Sequence, residues 1–343
     1  MKVNCSNLLR KSTLALASKV TSLTGLSFQL RSVVPADAEV VLKLRGQDGD
    51  RQKYLNPISD DVEAQKAWIA KQNTTENDYY FVIEDRFTKE PVGLIGLYNI
   101  AGNRAEWGRW IVDSSSLAAV ESVNLLMAFG FNDLGLSEIY CQTVADNAAV
   151  VKFHDGYATK QPLGPSLTVS LRGETYQLVE HILTRASYET TVAGKWDTFC
   201  QQIFNRRLAG ELGCFEFHHI GIAVRSVKDA AYGYRLLGYQ AESSFTDPEQ
   251  GVNGLFMTAK SQPRIELLEN MEGSHVLDSW HKQSVTPYHF AYFVTDIPHA
   301  LEVMGKLGIR QITPVKQSVY FGAAIVFLLL PNRFMIELME KTK

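Results

Sequence analysis

His219-Ile220-Gly221-Ile222-Ala223-Val224 and His289-Phe290-Ala291-Tyr292-Phe293-Val294 lie 70 residues apart and share one pattern, a histidine at the mouth of an apolar, strand-like run. Each has a second echo, Arg264-Ile265-Glu266-Leu267-Leu268-Glu269 and Phe334-Met335-Ile336-Glu337-Leu338-Met339, whose central glutamates are 71 residues apart. The last third of the chain is therefore an internal duplication. A side chain at the same place in both halves can meet its copy across a pseudo-two-fold axis. His219, Glu266, His289 and Glu337 then form a candidate divalent-metal site, with one or two positions of a six-coordinate ion left for a substrate's oxygens.

The duplicated region reads twice as strand, helix and three strands. The first copy is Phe217–Val224, helix Val227–Leu237, then strands near Ala241–Phe245, Gly254–Ala259 and Arg264–Leu268. The second is Tyr288–Val294, helix Ile297–Leu307, then strands near Gln311–Pro314, Ala323–Leu330 and Phe334–Leu338. Side chains alternate along a strand, so His218 is expected on the face opposite His219. Glu269, Glu340, His275 and His281 are set aside as ligands by the same logic.

Over residues 215–343 this pattern resembles the vicinal oxygen chelate superfamily, which pairs two such modules into a half-open barrel. The resemblance implies His219, Glu266, His289 and Glu337 as metal ligands. The ion itself (Co, Mn, Ni, Zn, Mg or Fe) is not distinguished by sequence. Within the superfamily, His219 to Val224 and the turn Asp247-Pro248-Glu249-Gln250-Gly251-Val252 are similar to methylmalonyl-CoA epimerase, which implies a catalytic carboxylate at Glu249. Glu337 is the expected second acid–base group. Read from its own surroundings, Glu249 is a turn residue before Gly251. Leu330-Pro331-Asn332-Arg333 departs from that family by lacking its lysine and acid.

At 343 residues and 45% hydrophobic content the chain can hold two domains with real cores. A net charge of −3 gives no basic field, so small-molecule substrates are expected, with no nucleic acid partner. A homodimer is compatible with these numbers. Cys5, Cys141, Cys200 and Cys214 have no metal-type spacing and suit a reducing, cytoplasmic setting. Within residues 1–25 the apolar stretch Thr13–Ala17 is too short for a signal or a membrane span, and reads as an amphipathic helix or extension with no membrane insertion.

From Leu26 the expected order is strand Phe28–Arg31, helix Pro35–Leu44, and a helix capped by Ser59 or Asp60 with an Ala64, Trp68, Ile69 stripe. Strands Tyr79–Glu84, Pro91–Asn99 and Trp107–Val112 follow, then a long helix Leu117–Leu134, strand Ile139–Val144, helix Ala148–Asp155 and strand Thr175–Thr184. This order resembles the Gcn5-related N-acetyltransferase fold over residues 26–188. Glu106-Trp107-Gly108, Phe129 to Leu136 and Asp146-Asn147 to His154 are similar to the branch acting on ribosomal-protein termini and amino sugars.

That resemblance implies acetyl-CoA or another acyl-CoA as cofactor. Such domains hold its pyrophosphate on a glycine-rich loop at a helix N-terminus. Here the loop is Asp113-Ser114-Ser115-Ser116-Leu117, without glycine, so Ser114, Ser115 and Ser116 would have to donate instead. Asn147 would bond the pantetheine arm, or is a helix cap. His154 stands where relatives place a tyrosine acid; it is that acid, a base, or a surface histidine.

The expected fold class is α+β: an N-terminal acetyltransferase-like α/β domain followed by a duplicated βαβββ vicinal oxygen chelate half-barrel. The expected divisions are an extension 1–25, the acetyltransferase-like domain 26–188, a helical linker 189–214 carrying Trp196, Phe199, Ile203 and Leu208, and the second domain 215–343. The expected function is a two-domain enzyme: an acyl-CoA-dependent N-acyltransferase, with reduced activity for want of glycines, joined to a metal-dependent epimerase or isomerase abstracting a proton alpha to a carbonyl. The alternatives are a glyoxalase-type lyase, a dioxygenase, or a non-enzymatic ligand-binding protein. A fourth ligand counts against oxygen activation.

Overall fold

The computed structural model describes residues 21–46, 54–56, 58–162, 167–282 and 287–341. The amphipathic segment expected before residue 21 lies outside them. The described residues form two compact units. One runs to Thr198 without residues 86–89, and the other comprises those four and the chain from Phe199.

The first unit is a sheet of β1 (Ser22–Thr24), β2 (Phe28–Ser32), β3 (Tyr79–Asp85), β4 (Pro91–Ala101), β5 (Arg104–Val112), β6 (Glu138–Val144), β7 (Thr159–Lys160), β8 (Thr168–Leu171) and β9 (Glu174–Thr184), in the order β1-β2-β3-β4-β5-β6-β9-β7 with β8 on β9. Its helices are α1 (Ala38–Gly46), α2 (Val62–Thr74), α3 (Ala118–Ala128) and α4 (Ala148–Asp155). The expected extension to residue 25 is corrected by β1, which pairs antiparallel with β2. The turn between them is tied to α3, because the buried Glu121 carboxylate accepts the N–H groups of Leu26, Ser27 and Phe28.

Three helix expectations change in detail. Asp61 caps α2 by accepting the Glu63 N–H at 2.9 Å, in place of Ser59 or Asp60. The buried face of α2 is Gln65, Ile69 and Gln72, and Trp68 is exposed. The long helix is α3 followed by a π-turn, Phe129–Asp133.

Among the described residues only β5 and β6 run parallel in this sheet, and they pair over three residues, Arg104↔Glu138, Ala105↔Ile139 and Glu106↔Tyr140. Beyond Glu106 they part. The β4–β5 register also shifts between Leu94 and Gly96. That irregularity turns Trp107 and Trp110 to one side, where they lie 5.6 Å apart.

The helix expected to join the halves forms at Ala193–Leu212 (α5), burying Cys200, Leu208 and Leu212, with Phe199 exposed. The second unit is a sheet of β10 (Glu216–Ala223), β11 (Gln240–Asp247), β12 (Val252–Thr258), β13 (Ile265–Asn270), β14 (Pro287–Val294), β15 (Arg310–Gln311), β16 (Lys316–Ser318), β17 (Ala323–Leu329) and β18 (Met335–Glu340). Its order is β11-β12-β13-β10-β14-β18-β17-β15, with β16 on β17. The two halves join at the antiparallel β10–β14 pair, while β10–β13 and β14–β18 are parallel.

Each half lays one helix, α6 (Val227–Arg235) or α7 (Ile297–Lys306), on the outer face. Ile265 and Leu267 pack with Ala231 in the first half, and Ile336 and Leu338 with Ala300 and Met304 in the second. Both helices are capped alike. Ser226 accepts the Asp229 N–H and Asp296 the His299 N–H, each worth about 1 kcal/mol. Glu269 and Glu340 accept the first N–H of α6 and α7, at Val227 and Ile297, which gives these two acids a structural task.

Candidate functional site

Four neighbouring strands, β13, β10, β14 and β18, carry Glu266, His219, His289 and Glu337 on the face away from the helices. In the registers Gly221 lies opposite both Glu266 and His289, and Ala291 opposite both His219 and Glu337. Each histidine thus faces a residue too small to obstruct its ring. All four side chains are buried, and one donor atom from each lies within 4.8 Å of the others. His219 Nε2 is 3.1 Å from His289 Nε2, 3.1 Å from Glu266 Oε2 and 3.6 Å from Glu337 Oε2. His289 Nε2 is 3.4 Å from Glu337 Oε2 and 3.7 Å from Glu266 Oε2.

These spacings suit a cation. Donors bound at roughly 2.1 Å to an octahedral ion lie roughly 3 Å apart when adjacent and roughly 4.2 Å when opposite. Burial pushes the Glu266 carboxyl up to about 7 and the His219 imidazole down to about 3, so both groups resist charge without a counter-ion. A divalent cation would stabilise the Glu266 carboxylate and be matched by a neutral His219.

The cup is small. A cavity of about 10 Å³ is lined by the candidate ligands Glu266, His289 and Glu337, by Phe245, Leu268, Phe321 and Phe327, and by Gln250 and Ser318. Tyr320, whose hydroxyl bonds Ser243, stacks on Phe256 beside it. Glu249 is exposed and absent from the lining, contrary to expectation. The buried Asp247 explains this: its carboxylate accepts from the Gln250 N–H and Nε2 at 3.0 Å each, which turns Gln250 inward. Gly251 completes the turn at φ 73°, a conformation glycine adopts freely.

His218 also corrects the simple alternation. A bulge between Phe217 and His219 brings its ring beside His219, with Nδ1 to Nδ1 at 2.7 Å. His275 is an exposed partner of Asp278.

In the first unit the serine loop closes on itself. Asp113 Oδ1 accepts both the N–H of Ser115, at 2.9 Å, and its hydroxyl, at 2.6 Å, and these bonds hold the Asp113 carboxyl below its ordinary range. Ser116 Oγ accepts the Ala118 N–H at 3.2 Å. Asn147 precedes α4 without a side-chain capping bond. His154 is buried, not a surface residue. It bonds the Tyr157 hydroxyl through Nδ1 at 2.9 Å and packs on Trp107, and burial next to His181 holds it neutral, down to about 3.

A group not singled out as chemical in the sequence is Glu106, the last β5 residue paired to β6 before they part. It accepts from Asn99 at 2.8 Å, Tyr98 at 3.2 Å and Tyr140 at 3.5 Å. The sequence shows a glutamate opening the Glu106-Trp107-Gly108 motif, but its place at the fork appears only in the strand pairing.

Two family models match. One, described as the Glyoxalase/Bleomycin resistance protein/Dioxygenase superfamily, covers residues 218–329; the other, Acetyltransferase (GNAT) domain, covers residues 28–155. The chain carries an acetyltransferase domain fused to a glyoxalase-superfamily domain. Among solved structures, the apo form of a nucleotide-linked sugar GNAT is similar at 27% identity, covering 49% of this chain and 92% of that one with a TM-score of 0.42. A GCN5-related N-acetyltransferase from Brucella melitensis is 13% identical over 53% of this chain and 86% of its own, TM-score 0.48. Spermidine N-acetyltransferase from Vibrio cholerae, in complex with CoA and spermine, is 18% identical over 48% and 100%, TM-score 0.43. No curated protein matches. Among the described residues no helix is long and apolar enough to cross a membrane.

Proposed function

We propose that the glyoxalase-superfamily domain is a divalent-metal isomerase that moves a proton on the carbon next to a carbonyl. The observation that carries this reading is the buried set His219, Glu266, His289 and Glu337, whose donors face one another in a cup. A bound ion would supply Lewis acidity to the carbonyl oxygen, worth several kcal/mol of transition-state charge stabilisation.

The remaining chemistry falls to the chain. Among the lining residues the titratable groups are Glu266, His289 and Glu337; with the imidazole assigned to the ion, the two carboxylates are the proposed proton carriers in preference to the exposed Glu249. Glu337 is the better candidate, because its oxygen stands 3.4 and 3.6 Å from the histidines, whereas Glu266 is held at 3.1 Å from His219. Phe245, Phe321 and Phe327 line the cup and would exclude water from the carbon losing its proton. Tyr320 and Phe321 border the cup, the Tyr320 hydroxyl bonded to Ser243 and the Phe321 ring stacked on His219.

Incubating the metal-loaded protein in deuterated water with acyl thioesters, 2-oxo acids and hemithioacetals tests this by NMR. Metal-dependent deuterium uptake alpha to the carbonyl is expected. Oxygen consumption, or no exchange with any of these compounds, contradicts it.

For the acetyltransferase domain we propose acyl transfer from an acyl-CoA to an amine, with Glu106 as the base that takes the amine's proton. The neutral, buried His154 supports packing around Trp107 better than an imidazolium acid. Because Ser115 spends its donors on Asp113, acetyl-CoA is expected to bind weakly. Asp113→Gly is expected to tighten calorimetric binding about tenfold by freeing those donors and removing a negative charge from the loop proposed to hold phosphate; unchanged affinity would mean that this loop does not hold it.

A further inference from the structure

A hydrogen-bonded chain runs from the surface of the glyoxalase-superfamily domain into the candidate metal site. Glu242 holds Arg264 at both ends, Oε2 to Nε and Oε1 to Nη2, at 2.8 Å each. The guanidinium lies 4.0 Å over the Phe256 ring. Its remaining Nη1 donates to His218 Nε2, and His218 Nδ1 faces His219 Nδ1 at 2.7 Å. His219 Nε2 looks into the cup.

The direction of each bond follows from one fact: arginine only donates. His218 must therefore accept at Nε2, so in its neutral form it carries its proton on Nδ1. It donates that proton to His219 Nδ1. His219 accepts there, and its own proton sits on Nε2, aimed at Glu266 Oε2 at 3.1 Å. An imidazole that ligates through Nε2 needs the opposite arrangement, with Nε2 bare and Nδ1–H donated outward.

Resting on the metal-centre reading above, we propose that Arg264, acting through His218, holds His219 in the tautomer that cannot ligate through Nε2, so that metal capture requires the Arg264–His218 hydrogen bond to break. The proton count balances. On capture His219 loses its Nε2 proton to solvent and takes the Nδ1 proton of His218, and His218 takes one from solvent on Nε2. No net proton is exchanged by the pair, and His218 Nε2–H then faces the Arg264 N–H, which must turn away. Arg264 and His218 are positioning residues here: they touch no substrate and act on the ligand's tautomer.

Two measurements test this, one of them independent of any metal. In metal-free protein, nitrogen shifts of the labelled imidazoles report the tautomer. The wild type is expected to show His219 protonated on Nε2, and Arg264→Met to move the proton to Nδ1. In competition titrations with Co(II) or Zn(II), Arg264→Met and His218→Asn, whose carbonyl can accept from Nδ1–H, are each expected to bind about tenfold more tightly than wild type. His219 protonated on Nδ1 in the wild type, or both variants binding equally or more weakly, overturns the proposal. If no variant and no wild-type protein binds metal, the metal-centre reading fails while the tautomer shift still decides whether Arg264 sets the proton's place.

Discussion

Gly221→Ala should abolish tight metal binding and destabilise the glyoxalase-superfamily domain. A Cβ at this position would lie 1.9 Å from His289 Cε1, 2.3 Å from Nδ1 and 2.4 Å from Nε2, far inside van der Waals contact. The strand cannot yield easily, because Gly221 is paired to both neighbours, opposite Glu266 on β13 and His289 on β14. The ring must leave instead. Overpacking of this kind costs about 1–3 kcal/mol, and displacing a ligand should lower metal affinity by at least about a hundredfold, since loss of mere outer partners costs 10–100-fold. Thermal unfolding and metal titration of the variant read both effects. Gly233→Ala, on α6 with nothing within 4 Å, serves as the control and should be neutral or slightly stabilising. Equal behaviour of the two variants would mean that His289 does not occupy the place described.

Glu337→Gln should separate holding the metal from moving the proton. The amide oxygen can still reach the ion, but an amide cannot accept the substrate's proton. Alpha-deuteration is therefore expected to fall by about 10²–10⁴-fold, with a much smaller loss of metal affinity. Glu249→Gln should leave exchange nearly unchanged, since Glu249 is exposed and outside the cavity lining. Exchange that survives Glu337→Gln and is lost with Glu249→Gln would return the base to the turn and require that turn to refold over the cup.

The placement of His219, Glu266, His289 and Glu337 is legible in the sequence because a duplication writes the same strand twice, and period-2 alternation then fixes which face each residue occupies. The same rule misplaces His218, since a bulge inserts a residue and no alternation pattern announces it. Glu249 and Gln250 cannot be ranked from sequence either. Which of two adjacent turn residues points inward is decided by the buried Asp247, a tertiary fact. In the first domain the element order is readable from hydrophobic period and caps, yet the face of α2 is not, because Gln65 and Gln72 are buried where Ala64 and Trp68 look more apolar. Glu106 gains meaning only when β5 and β6 are seen to part beside it.

Calorimetric titration of metal-free protein with a divalent ion decides whether the four-residue cup holds a metal. At pH 6 Glu266, raised to about 7 by burial, is mostly protonated in the metal-free protein, and a cation requires its carboxylate. Uptake should therefore release about one proton per ion at pH 6 and almost none at pH 8, where Glu266 is already ionised, as read from buffers of differing ionisation heat. One ion per chain is expected, with that pH dependence, and its uptake should be lost in His289→Ala. No uptake of any divalent ion, or uptake that His289→Ala leaves intact, would contradict a metal site in the cup.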